Sequence, residues 1–187
     1  GEESGLLGSK YFVKSSPGGF PLNSAFAMVN LDAVGRLEGR TLQIFGTESA
    51  YEWPFMAQGI GFTIGVSSQF AAQTVASSDH VSFLNAGIPA IHLFSGTHLD
   101  YNQPTDTADR LDLAGMGDVA LWVEEAIVYL ADRRDPLRVS LEQASQLPVS
   151  TNTTARESVL GSVPDFAYEG QGIRISGVSP GGAAELA

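Results

Sequence analysis

The sequence predicts a layered α/β domain, and three observations carry that expectation. Short apolar runs of strand length recur along the chain, segments with helical spacing separate them, and acids and histidines collect where the runs end. Alternation of this kind builds a sheet covered by helices, and in such sheets reactive groups gather on loops at the carboxyl ends of strands.

The elements follow in order. Glu2 to Lys14 reads as a loop entering a short helix, with Leu6, Leu7, Tyr11 and Phe12 at helical spacing. Pro17-Gly18-Gly19 breaks it. Ala25 to Val34 predicts a buried strand and Thr41 to Phe45 a second. Trp53 to Gly59 predicts a helix, since Pro54 suits a first turn. Phe62 to Val66 is expected to be another strand. Ser78-Asp79 predicts a cap for a helix over His80 to Asn85, which Gly87 ends. Ile88 to Phe94 predicts a strand, and Ser95 to Asp109 a polar loop at its end. Leu113 to Asp132 predicts an amphipathic helix with Val119, Trp122, Val123, Ala126, Ile127 and Leu130 on one side. The domain is expected to close at residue 136, a linker to span 137–165, and a further segment to occupy 166–187. That last segment predicts a strand from Gly172, a Pro-Gly turn and the start of a helix.

Composition narrows the function. A net charge of −11 with ten Lys and Arg argues against nucleic acid, whose phosphates demand a basic surface, and against anionic membranes. An acidic surface serves solubility and suits cationic ligands such as a protonated amine. The longest apolar stretch, Ile88 to Phe94, is strand-sized and predicts no membrane span. Zero cysteine excludes disulfides, thiolate metal sites and cysteine nucleophiles. Any metal must therefore sit on carboxylates and the three histidines.

Chemistry-bearing residues cluster in a few places. Glu2 and Glu3 are adjacent carboxylates beside glycine. Asp32 ends an apolar strand, where an acid has no packing role and is costly unless paired or bound to metal. Asp79-His80 opens a helix, and His98, Asp100, Tyr101, Asp106 and Asp109 crowd one loop. Acids, a tyrosine and histidines at strand ends outline a hydrolytic site with oxygen and nitrogen metal ligands. Each also has a plainer reading. Glu2 and Glu3 suit a solvated turn, Asp32 a turn cap, and His80 a cap. His92, between Ile91 and Leu93, reads as a core histidine. His98 either lines the site, replaces a ligand or braces its loop, and Trp122 reads as core.

The motifs GEESGLLGSKYF at 1–12, AMVNLDAVGR at 27–36, SSDHVSF at 77–83 and GIPAIHLFSGTHLDYNQPTDTADRLD at 87–112 together resemble the co-catalytic di-zinc aminopeptidases. That is metallopeptidase family 28, which includes bacterial leucyl aminopeptidase and aminopeptidase S. The resemblance spans about residues 1–135 and implies the carboxyl-terminal part of a three-layer mixed-sheet fold. The tail from about 158 resembles the opening of a PDZ domain. By motif, the resemblance implies Glu2 as general base, Glu3 and Asp32 as ligands to the two zinc ions, and Tyr101 as donor to the oxyanion. The family's Tyr-His-x-Pro pattern reads Tyr101-Asn102-Gln103-Pro104 here, so an amide stands at the place of an imidazole ligand. Its other histidine and its bridging aspartate lie upstream of the Glu-Glu pair. Missing central strands would leave open sheet edge, so a homo-oligomer is expected. The family also implies a secreted or extracytoplasmic setting and a peptide substrate.

Two further functions follow from the residues. A metal-independent ester hydrolase would draw on Ser95, His98 and Asp100, or on Ser77, Ser78 and His80, and cleave a small ester. No Gly-x-Ser-x-Gly elbow supports it. A non-catalytic module would bind peptide as an added strand on the PDZ-like segment.

Overall fold

The computed structural model describes residues 2–71, 78–140, 160–165, 168, 170–178 and 180–186; Ser77 and most of the expected linker fall outside them. A four-stranded sheet forms from β1 (Met28–Leu31), β2 (Leu42–Phe45), β3 (Ser68–Phe70) and β4 (Ala90–Phe94), in the order β1-β4-β2-β3. Strand β4 runs parallel to β1, with Asn30 opposite His92, and antiparallel to β2; β2 and β3 are parallel. The sheet is mixed, as the resemblance implies.

Alternation along β4 sorts its side chains onto two faces. Ile91 and Leu93 join Leu42 and Ile44 beneath α2 (Trp53–Ile64) and α4 (Leu113–Ala131), which contribute Trp53, Met56, Ala57, Ile60, Val119, Trp122 and Ala126. The opposite face carries Ala90, His92 and Phe94, with Leu84 of α3 (His80–Asn85) against Ala90. Helix α1 (Leu7–Ser15) lies on α3, joined by a buried Ser9–Ser82 hydroxyl pair at 2.8 Å. Three layers result. Among the described residues no helix is long and apolar enough to cross a membrane.

Several local expectations need correction. The run 25–34 gives only the four residues of β1, half-buried and ending at Leu31, which is 45% exposed. An edge strand has one neighbour, so its apolar residues are only partly covered. Phe62 to Ile64 belong to α2 instead of a strand, and Phe62 is 92% exposed. Once Pro54 starts the helix, its backbone ladder runs to Gly65, whose φ of +75° ends the helix in the left-handed region at no steric cost. Strand β3 starts only after that turn. In α4, Ile127 faces outward instead of joining the apolar side. The cap of α4 is Asp112, which accepts from Gly115 N at 3.0 Å and from Glu38 N at 2.6 Å.

Residues past 136 stay packed on the domain. Leu137 is buried, Val139 bridges Ala50, and Glu52 binds Arg138 (3.2 Å) and Arg133 (3.4 Å). Ser162–Pro164, expected within the linker, is strand β5, paired antiparallel with β6 (Ile175–Val178). After it, residues 180–185 form turns and bends where a helix was expected. This strand pair touches the domain through Thr97, whose hydroxyl donates to Pro164 O at 2.9 Å.

Candidate active site

Because β1 and β4 are parallel, their carboxyl ends meet at one edge of the sheet, and the loops leaving them face each other there. A cavity of about 500 Å³ opens at this place, lined by Glu2, Glu3, Asp32, Asp79, Tyr101, Asn102 and Asp106 with Asn30, Leu31, Ala33 and Ser78.

Each side chain has a local cause for its position. Gly5 N and Leu6 N both donate to Glu2 O at 2.9 Å, and Leu6 is buried with φ +61°. That turn, pinned by Leu6, brings the Glu2-Glu3 pair off the start of α1. Asp32 follows the last residue of β1, its backbone N–H still bonded to Leu93 O at 3.3 Å. Its carboxylate is exposed and accepts a hydrogen bond from Ser78 Oγ at 3.0 Å. Asp79 enters from the turn before α3, where its side chain makes no capping bond. Tyr101 packs edge-on against Phe94 and His98, and Asn102 follows it with φ +57°, a conformation Asn tolerates better than most residues.

Electrostatics gives these groups distinct tendencies. Burial and the neighbouring Glu3, Asp32 and Asp79 carboxylates raise the Glu2 carboxyl above its ordinary range. Burial, then Asp32, Glu3 and Glu2, also raises Tyr101. Glu2 thus holds a proton more readily than an isolated glutamate, and Tyr101 remains a donor. Perturbed groups gathered in one cavity are a mark of functional sites.

The remaining candidates serve other purposes. Ser95 is buried and donates to Ala33 O at 2.6 Å while accepting from Arg36 N at 3.3 Å, so it pins the start of the loop instead of standing as a nucleophile. Asp100 is held by Arg110 (2.6 Å), Thr105 (2.7 Å) and Arg36 (3.4 Å). His98 lies 3.7 Å from Asp106 and against Tyr101, outside the cavity lining, which makes it a brace. The Ser95, His98 and Asp100 arrangement required by the ester hydrolase is not assembled. His80 is not a site-lining residue either: it is fully buried, stacked on His92 at 5.0 Å.

Sequence reasoning passed over Asn30, and Ser78 was read only as a cap or as part of a hydrolase set. The signal for Asn30 was its spacing: two residues before Asp32 on a strand, it shares that face.

The mixed-sheet α/β scaffold thus carries an acidic, tyrosine-bearing cavity at its strand ends. Peptidase family M28 matches residues 1–127, and this chain belongs to that family. Leupeptin-inactivating enzyme 1 of Streptomyces exfoliatus is 31% identical over 109 residues, covering 58% of this chain and 24% of that protein. The LapA aminopeptidase of Legionella pneumophila superposes with a TM-score of 0.57 at 24% identity, over 72% of this chain and 38% of that one. BSAP, a zinc aminopeptidase from Bacillus subtilis, gives 0.56 at 24%, over 74% and 37%. These solved structures show the shared fold. The chain spans about a quarter of the curated relative and less than two fifths of the solved ones.

Proposed function

We propose that this chain carries catalytic groups of a peptidase that removes residues from the amino termini of peptides. The observation that carries the reading is the cavity itself. It gathers Glu2, Glu3, Asp32 and Asp79 in one lining with Tyr101, with no lysine, arginine or histidine among its described lining residues, while Asp106 of the same lining is paired with Arg36 at 2.7 Å. A concave site of one sign concentrates the opposite charge, and the α-ammonium of a free amino terminus is the cation a peptide brings. In this proposal Glu2 accepts the proton of the attacking water, helped by a raised proton affinity nearer to neutrality. Tyr101 O–H donates to the oxygen of the scissile carbonyl as charge develops there.

Zinc belongs to the proposal through the family and BSAP. Glu3 and Asp32 are suitable donors, but catalytic zinc takes three protein ligands. Among the described residues no group of three His, Cys, Asp or Glu is arranged to hold a metal ion, and Asn102 lines the cavity where an imidazole was expected. The described residues do not by themselves fit zinc, and the steps above run through none. The PDZ-like reading of the tail is a companion proposal, supported by the antiparallel β5–β6 pair.

Hydrolysis of an aminoacyl anilide, its N-acetyl counterpart and a simple ester, each with and without chelator, tests the reading. Cleavage confined to the free-amine anilide is expected. Equal cleavage of the acetylated compound would remove the ammonium-recognition argument.

A further inference from the structure

We propose that Asn30 and Ser78 are positioning residues for Asp32, acting through a directed chain of hydrogen bonds that starts at the buried ring of His92. The inference rests on the peptidase reading for its consequence, and on geometry alone for its existence. Asn30 and His92 are register partners across β1 and β4. Asn30 Nδ2 lies 3.1 Å from His92 Nδ1 and 2.9 Å from Ser78 Oγ, and Ser78 Oγ lies 3.0 Å from Asp32 Oδ2. An amide nitrogen only donates, with two protons. Ser78 Oγ therefore accepts from Asn30, and its own proton goes to the carboxylate. His92 Nδ1 also accepts, which requires the neutral ring with its proton on Nε2.

The surroundings keep the His92 ring neutral, which this sense requires. His92 is 3% exposed and sits between the rings of Phe45 (5.6 Å) and His80 (5.0 Å). Burial lowers its pKa to about 4, so the ring stays neutral and its acceptor lone pair is retained. Ser78 is buried as well. Asp32, by contrast, is exposed at the end of β1, where a carboxylate turns easily about its last bond. The Ser78 hydroxyl holds Oδ2, and Asp32 lines the cavity. The chain thus converts a mobile surface acid into one with a set orientation, supported from a buried layer. The serine and the asparagine come from segments 48 residues apart, joined only by the fold.

The sense of the chain makes the proposal testable. With the Asn30 amide reversed, its oxygen would face both neighbours, His92 would carry its proton on Nδ1, and the Ser78 hydroxyl would be spent on Asn30. Long-range proton–nitrogen NMR spectra of the whole chain distinguish the two tautomers directly. We expect a single Nε2-protonated His92 near about pH 7, and a mixture of tautomers in Asn30→Ala. Kinetics supply the second readout, with an aminoacyl anilide as probe. Ser78→Ala and the isosteric Asn30→Asp, which cannot donate, are expected to lower kcat by about tenfold to a hundredfold while KM changes by less than about threefold. Ser78→Thr, which keeps the hydroxyl, is expected to retain most of the rate. A proton on Nδ1 of His92, or a Ser78→Ala chain that turns over like the unsubstituted one, overturns the proposal. If the unsubstituted chain cleaves no anilide, the peptidase reading of this chain fails, and the His92 tautomer alone decides the hydrogen-bond chain.

Discussion

At the scale of single residues, the cavity divides labour between groups of the same type. Glu2, Glu3, Asp32 and Asp79 are all carboxylates in one space; burial and its carboxylate neighbours raise the Glu2 carboxyl, and the proposed function therefore gives the proton to Glu2. Glu2→Gln keeps the shape and removes that function. It is expected to lower kcat on an aminoacyl anilide by about a hundredfold or more, with KM little changed, as read from steady-state rates. Asn102 allows a sharper experiment. Asn102→His would place an imidazole in the same cavity as Glu3 and Asp32 and create the three-donor set the described residues lack. Zinc affinity by calorimetry is expected to rise about tenfold or more over the unsubstituted chain. No gain would mean that residue 102 does not reach a point shared by those two carboxylates. Histidine also accepts the left-handed backbone at this position more readily than most residues do. The motif residues themselves were legible in the sequence. The partners that aim them were not, because Asn30 and Ser78 meet only after β1 and α3 pack together.

At the scale of elements, two buried tryptophans show how the helices are anchored. Trp53 opens α2 and its indole N–H donates to Ser49 Oγ at 2.9 Å, while Ser49 donates its one proton to Gly46 O at 2.7 Å and accepts from Ala90 N at 3.2 Å. Trp122 fills the same core from α4, but its indole N–H has no hydrogen-bond partner among the described residues. Replacing each by Phe removes similar volume and different bonding. Trp53→Phe is expected to cost roughly 1–2 kcal/mol more than Trp122→Phe, measured by urea unfolding. Equal losses would show that the Ser49 bond contributes little. Sequence periodicity found the helical spacing of α4 and the strand nature of β4, since both signals are local. It placed a strand at Phe62 to Val66 because a short apolar run reads equally as buried strand or buried helix. What decided for helix was the continuity of the ladder from Pro54 to Gly65, a property of the whole segment.

At the scale of the molecule, pH acts on stability through two buried rings. Burial lowers His80 to about 3, and His92 to about 4. The unfolded chain protonates both near their ordinary value of ~6.5. Below that value the unfolded state therefore binds more protons, and stability falls as pH drops from about 6.5 toward 4. Each ring contributes a loss of roughly 2 kcal/mol by about pH 5. Glu2 and Glu48, whose carboxyls are raised, act in the opposite direction. The depressed Asp100, Asp109 and Asp112 add to the acid loss only at lower pH, below their ordinary carboxylate values. Calorimetric melting at about pH 7 and about pH 5 is expected to show a clear drop in Tm, smaller in a His80→Phe chain. An unchanged Tm would mean that both rings take up protons in the folded state as readily as in the unfolded chain.

By itself, the sequence determined the layered α/β class, the acids and tyrosine that the cavity collects, and the absence of any cysteine-based chemistry. These follow from local periodicity, composition and short motifs, which a chain carries whether or not it is folded. Only the tertiary structure decided that Ser95 is a structural pin, that His98 and Asp100 belong to a brace, that His80 lies in the core, and that Asn30 and Ser78 support Asp32. The physical reason is common to all of these. A polar side chain takes its role from the partner it meets: for Ser95 and Asp32 those partners lie on other segments that the sheet and α3 bring together, and for His98 and Asp100 they depend on how their own loop folds back on itself.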